Sequence, residues 1–137
     1  MHFETPNQKK LRTIWASLGN TPTEAEVRLQ EILVDFYETQ ARDVLIGFFF
    51  TGRDLVTIAT HQKSFLMKAM GVTPTFQGKV PAKAHTDLPP ILSGHFDRRL
   101  VLLAEVLKRH GMADKDIRIW VGFEASFREV IVSQPPA

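Results

Sequence analysis

From Leu29 onward, Leu29, Ile32, Leu33, Phe36 and Tyr37 repeat at the three-and-four spacing that stacks side chains on one face of an α-helix. A strand turns successive side chains to opposite faces, so this stripe laid in a sheet would send much of its apolar surface into water. The same period recurs along the chain. Leu11, Ile14, Trp15 and Leu18 mark a short first helix that Gly19-Asn20 stops. Thr23 and Glu26 stand in capping-box spacing at the start of the second helix. Beyond the aromatic run "GFFF" and the turn-like "TGRD", Asp54 can cap a third helix. Its face reads Leu55, Ile58, Ala59, Gln62, Phe65, Leu66 and Ala69, and it ends at Gly71. A fourth helix turns Phe96, Leu100, Leu103 and Leu107 inward and closes at His110-Gly111. A last one starts near Asp114 and presents Ile117, Trp120, Val121 and Phe127. No alternating pattern competes, which predicts an all-α chain of five main helices.

With 137 residues, 44% of them hydrophobic, the chain suits one domain around one core. The expected limits are an N-terminal extension over 1–10, a helical domain over 11–132 and a tail over 133–137. Seventeen basic residues are scattered among fifteen acidic ones, for a net charge of +2, and this argues against nucleic acid as a partner. The longest apolar run, "VLIGFFF", is far below the roughly 18 residues of a membrane span, and the N-terminus has no secretory core. A soluble, cytoplasmic protein is the expectation, with no membrane partner and an oligomeric state that sequence leaves open. The absence of cysteine excludes disulfides, thiolate catalysis and cysteine-held zinc or iron–sulfur centres.

Three polar residues stand out against this pattern. Gln62 shares a helix face with Ile58, Phe65 and Leu66, and a buried amide without a partner costs on the order of 1–3 kcal/mol. Tyr37 points inward beside Phe36, and its hydroxyl needs a partner too. The two can satisfy each other or converge on a ligand. His85 lies in "FQGKVPAKAHTDLPPILSGHFDRRL", residues 76–100, where prolines and glycines oppose a long helix; it is either incidental surface or a residue held by an external group.

"LGN" before a long helix containing "FY", then "RDVLIGFFF", "HQKSF", "FQG", "AH" and "HFDRRL", form an ordered set that resembles the truncated haemoglobin family, with the group I pattern the nearest. The likeness spans residues 11–131, and Phe76 and His85 are as far apart as the corresponding family residues. This resemblance implies a two-over-two helical sandwich around haem b, with a largely irregular segment carrying the proximal ligand. It implies His85 as the proximal iron ligand, Tyr37 and Gln62 as distal hydrogen-bonding residues, and Ile58 as the apolar residue at the distal side. Phe50, Phe65, Leu66, Phe76, His61 and Arg99 would line or edge the cofactor. Diatomic ligands are implied: dioxygen, nitric oxide or carbon monoxide, in sensing or in nitric oxide detoxification. Dioxygenase-type turnover would require an external electron-donor reductase.

The sequence departs from the family at several positions. Gly19-Asn20 replaces a glycine pair, Phe76 a tyrosine and Pro81 a methionine. Pro89-Pro90 accompanies one extra residue before the next helix. Arg98 or Arg99 falls where the family carries Val or Trp over the distal face, and a guanidinium there is costly unless paired or extended to water. This motivates an alternative, a haem-free globin-fold binding or sensor module in which Tyr37, Gln62 and Arg99 form a polar network. Asp43, Asp54, Glu124 and Glu129 read as helix-end or surface residues. Arg53, Lys79, Lys83 and His61 read as surface residues or propionate contacts. The histidines lack the paired spacing of a zinc site, and no Gly-rich phosphate loop is present.

Overall fold

The computed structural model describes residues 6–73 and 88–132, and among these the regular structure is helical. Helix α1 runs Pro6–Leu18, α2 Pro22–Arg42, α3 Leu55–Ala69, α4 Ser93–Arg109, α5 Asp114–Ala125 and the single turn α6 Arg128–Ile131. A short 3-10 turn, Gly47–Phe50, follows α2. Residues 74–87, with His85, Phe76, Pro81, Lys79 and Lys83, lie outside the described residues, as does the expected tail. Helix α1 begins inside the stretch read as an extension.

The 21-residue α2 is the central element: it packs on α1, α3, α4 and the 3-10 turn. Its stripe of Leu29, Ile32, Leu33 and Phe36 is wholly removed from solvent, each side chain contributing roughly 1.5–3 kcal/mol. Helix α4 lies between α2 and α5, and α1 also reaches α5, so the α2–α3 pair is layered on the α4–α5 pair in a two-over-two sandwich. Having neighbours on two sides, α4 buries Leu102 and Val106 as well as the expected Phe96, Leu103 and Leu107. Leu100, expected inward, is only half-buried. No described helix is long and apolar enough to cross a membrane.

The start of α2 differs from expectation. Thr21, not Thr23, is the cap: its hydroxyl accepts from the Glu24 N–H at 3.2 Å, while the Glu24 carboxylate accepts from the Asn20 N–H at 3.0 Å. The same motif occurs twice, two residues apart, and Pro22 selects the first copy because a proline suits the first helical position. Glu26 is thereby free to pair with Lys63 of α3 at 3.1 Å. At α3 the expectation holds, with Asp54 accepting from the N–H groups of Val56 and Thr57.

The turn between α1 and α2 requires the glycine it has. A Cβ on Gly19 would stand 2.6 Å from the Ala25 nitrogen and 2.8 Å from the Glu24 Cβ, and the backbone atom cannot move without breaking the start of α2. Gly94, in the first turn of α4, has nothing within 4 Å of such an atom. Gly19→Ala is therefore expected to lower stability by about 1–3 kcal/mol, and Gly94→Ala to raise it by about 0.5–1 kcal/mol. Urea midpoints of the two variants check both signs.

Candidate functional site

Near its C-terminal end α2 turns Phe36 and Tyr37 into the interior, with Phe36 fully covered and Tyr37 6% exposed. Their rings lie 5.4 Å apart. Phe50, from the 3-10 turn, meets Tyr37 edge-on at 5.8 Å. Helix α3 adds Ile58, Gln62 and Phe65, spaced four and three residues apart and so on one face. Phe65 sits 6.1 Å from Phe123 and 5.5 Å from Phe127, which themselves meet at 5.2 Å. An aromatic group thus closes each end of this wall, and polar side chains occupy the space between.

Those polar side chains form one linked set. Arg99, on α4, donates from Nη1 to Glu124 Oε2 of α5 at 3.0 Å. The other carboxylate oxygen, Glu124 Oε1, accepts from Gln62 Nε2 at 3.1 Å. The guanidinium also stands over the Phe36 ring, 5.0 Å from its centroid, and its charge acts on the neighbouring Tyr37 hydroxyl. Glu124 is only 5% exposed. Gln62 is therefore bonded to the ion pair, and Tyr37 lies within its electrostatic reach. Of the network of Tyr37, Gln62 and Arg99 in the alternative reading, Gln62 and Arg99 are joined through a carboxylate that it did not include.

The electrostatics follow from burial and pairing. Burial pushes the Tyr37 phenol above its usual value of 10.0; the Arg99 charge opposes this and the Glu124 charge adds to it, so the hydroxyl keeps its proton. Burial alone would lower the Arg99 value, but Glu124 and Tyr37 outweigh it and hold the guanidinium charged. The pair is neutral overall. A lone charge among these rings would be prohibitive, whereas a paired and hydrogen-bonded one is tolerated.

Glu124 is the residue that sequence reasoning misplaced at the surface. It lies four residues after Trp120, which is completely buried, and on a helix that spacing puts both on one face. The two arginines also separate. Arg98 turns outward along α4 and donates from Nε and Nη2 to Asp43 Oδ1, at 3.0 and 2.8 Å. Asp43, read as a helix-end residue, ends α2, and its second oxygen accepts from the N–H groups of Leu45 and Ile46. Of the other expected site residues, Ile58, Phe50 and Phe65 are half-buried beside the core, Leu66 is fully buried within it, and His61 and Arg53 are exposed. His95 is a structural residue: its Nδ1 accepts from the Leu92 N–H at 3.0 Å at the start of α4.

Breaking a buried pair leaves one charge stranded. Glu124→Ala should cost about 3–5 kcal/mol of stability, while Arg99→Leu with Glu124→Leu should recover most of that loss; chemical denaturation of both variants measures the difference. At Asp43 the Arg98 hydrogen bond, aided by Leu45 and Ile46, outweighs burial and holds the carboxyl below its usual 3.8. A carboxylate shifted down stabilises the fold fully above its unfolded value and loses that contribution as pH falls through the folded one. The stability difference between wild type and Asp43→Asn should accordingly be constant near neutrality and shrink below about pH 4 in urea titrations.

No family model matches the chain. It is 30% identical over 128 residues to the group 1 truncated haemoglobin GlbN of Synechocystis, covering 88% of this chain and 98% of that protein. Among solved structures it resembles truncated haemoglobin from Tetrahymena pyriformis in the Fe(III) form. A tyrosine-to-phenylalanine variant of that protein superposes with a TM-score of 0.76 at 22% identity, covering 88% of this chain and 98% of the other. The structure without that substitution gives 0.71 at 23% identity, covering 79% and 92%.

Proposed function

The chain belongs to the truncated haemoglobin family, and from that premise we propose that it holds haem b and takes up dioxygen, nitric oxide or carbon monoxide reversibly at the iron. The observation that carries the reading is the wall just described. Phe50, Ile58 and Phe65 are half-buried apolar side chains, and the charge of Arg99 in the adjoining cluster is neutralised by Glu124. A flat apolar ring laid there covers carbon and strands no charge, so the residues present fit the group. The arginine that argued against haem on sequence grounds loses its force once its charge is paired.

Bound haem supplies an iron with one coordination position open to a small ligand. His85 would hold the iron through a neutral imidazole, its proton on the other ring nitrogen. Phe50 and Phe65 would exclude water from the cofactor, with Leu66 packed behind them, and Phe76 would be a further apolar contact. Ile58 has no atom that can bind iron and keeps the distal position open. Tyr37 would offer a hydrogen bond to a polarised ligand there, and Gln62, one of whose N–H groups already donates to Glu124, would offer its second. The absence of cysteine in this chain leaves no side chain for thioether attachment, in agreement with a non-covalent b-type haem. Sensing of such a ligand and conversion of nitric oxide to nitrate, in a cytoplasmic setting, are the two finer roles this site would serve; the second would draw electrons from a separate reductase.

An absorption spectrum of the chain purified with haem available tests the reading. A strong near-ultraviolet band that shifts on reduction and again under carbon monoxide is expected. His85→Ala should lose most of the bound haem. A chain that stays colourless after haem is added would remove the proposal, and a His85→Ala variant with full, unchanged haem would remove the axial assignment.

A further inference from the structure

Helix α4 begins on a residue whose side chain cannot cap it. Leu92 stands at the cap position with no side-chain atom able to accept a hydrogen bond, and its own N–H donates to His95 Nδ1 at 3.0 Å. A ring nitrogen that accepts carries no proton, so the imidazole is fixed with its hydrogen on Nε2. The same ring lies edge-on to Phe48 and Phe49, with centroids 5.6 and 5.2 Å away and planes at 73° and 79°. Both phenylalanines belong to the 3-10 turn, whose last residue, Phe50, meets Tyr37. Three residues along α4, on the same face, Arg98 grips Asp43 at the entrance to that turn. In the other direction, Leu92 lies seven residues after His85, and Leu88 and Ile91 between them pack against the core. One imidazole thus joins the chain that follows His85 to the corner that seats Phe50.

We propose that His95 is a positioning residue that holds two supports of the haem site in one register. Its Nδ1 fastens the chain following His85 at Leu92, and its ring braces the 3-10 turn that sets Phe50 against Tyr37. The two tasks depend on each other. The hydrogen bond to Leu92 orients the ring, and only a ring held in one orientation keeps both edge-on contacts with the phenylalanines. His95 needs to touch neither iron nor ligand; it acts through Leu92 and through Phe48 and Phe49. A displacement of the turn that moves Phe50 is passed to the segment that presents the axial imidazole, so the seat of the ring and the iron–imidazole bond change together. This last step rests on the haem reading above; the brace between Leu92 and the turn does not.

Two substitutions in the full chain separate the tasks. His95→Gln keeps an acceptor for the Leu92 N–H and removes the ring, whereas His95→Phe keeps a ring and removes the acceptor. Amide hydrogen exchange, read residue by residue by NMR, reports Leu92 directly. It reports the 3-10 turn through Phe49, whose N–H donates to the Ile46 carbonyl at 3.1 Å. His95→Phe is expected to speed exchange about fivefold or more at Leu92 and at Phe49 alike. His95→Gln should speed it to a similar degree at Phe49 and leave Leu92 within about twofold of wild type. Amides in the middle of α2 and α4 should be unchanged in both, which sets a local release apart from a loss of global stability. A His95→Phe variant whose Phe49 exchanges as in wild type would overturn the coupling, and so would equal acceleration at every amide. In the haem-loaded protein, the iron–imidazole stretching band of the ferrous, ligand-free state in resonance Raman is expected to move in His95→Phe and to move less in His95→Gln. A band unmoved in His95→Phe would overturn transmission to the axial imidazole while leaving the brace intact. A chain that takes up no haem sinks the haem reading and that half with it, and the exchange rates still decide the role of His95.

Discussion

A guanidinium drawn largely out of water against the Phe36 ring has to be neutralised within hydrogen-bonding distance, and this requirement organises the site. Arg99 comes from α4, its carboxylate partner from α5, the amide that partner also holds from α3, and the Phe36 ring under the guanidinium from α2. Four helices therefore meet at one charge pair. Apolar packing holds these helices together wherever they touch, but it tolerates small rotations and slides. A charged hydrogen bond weakens steeply with distance and angle and does not. The pair thus sets the register that the surrounding aromatic contacts then fill.

Helix α2 links that register to the rest of the molecule. Its first two-thirds carry Leu29, Ile32 and Leu33 in the core, and the same face continues into Phe36 and Tyr37 at the site. A rotation of α2 that misplaced the tyrosine would also expose the core stripe. Positioning of the Tyr37 hydroxyl is stabilised by the whole hydrophobic face of a 21-residue helix. At its far end Asp43 closes α2 and clasps Arg98, so adjacent arginines on α4 tie down two different features of the same neighbouring helix. Outward and inward directions for Arg98 and Arg99 follow from the 100° step between consecutive helical residues.

The helices were legible in the sequence because their apolar residues keep one period and their boundaries carry turn chemistry. Asp54, Gly71 and Gly111 act where local chemistry places them, the two glycines with positive φ. The start of α2 was misread by two residues because two overlapping capping patterns compete there, and only the constraint imposed by Pro22 decides between them. At the site, Tyr37 and Gln62 were legible as polar interruptions of apolar stripes. Glu124 was not, since a glutamate near a helix end is ordinarily solvated, and what buries it is an arginine 25 residues earlier on another helix. Charge pairs of that kind are tertiary facts. The clue that remained in the sequence was the four-residue step from Trp120, which ranks Glu124 with the core once that tryptophan is taken as buried.

Stability alone gives no reason for the pair to exist. Two buried charges repay their desolvation only in part, and hydrocarbon side chains of similar volume in the same space are commonly as stable or more so. What hydrocarbon cannot supply is polarity with a sense of direction. A tyrosine and a glutamine left to themselves form a degenerate couple, each able to donate or accept, and a ligand entering between them would meet a hydrogen bond pointing either way. An acceptor-only anion against the amide removes that degeneracy on the glutamine side, at the cost of desolvating a charge pair. The low dielectric around the charge pair strengthens the hydrogen bond that fixes the amide.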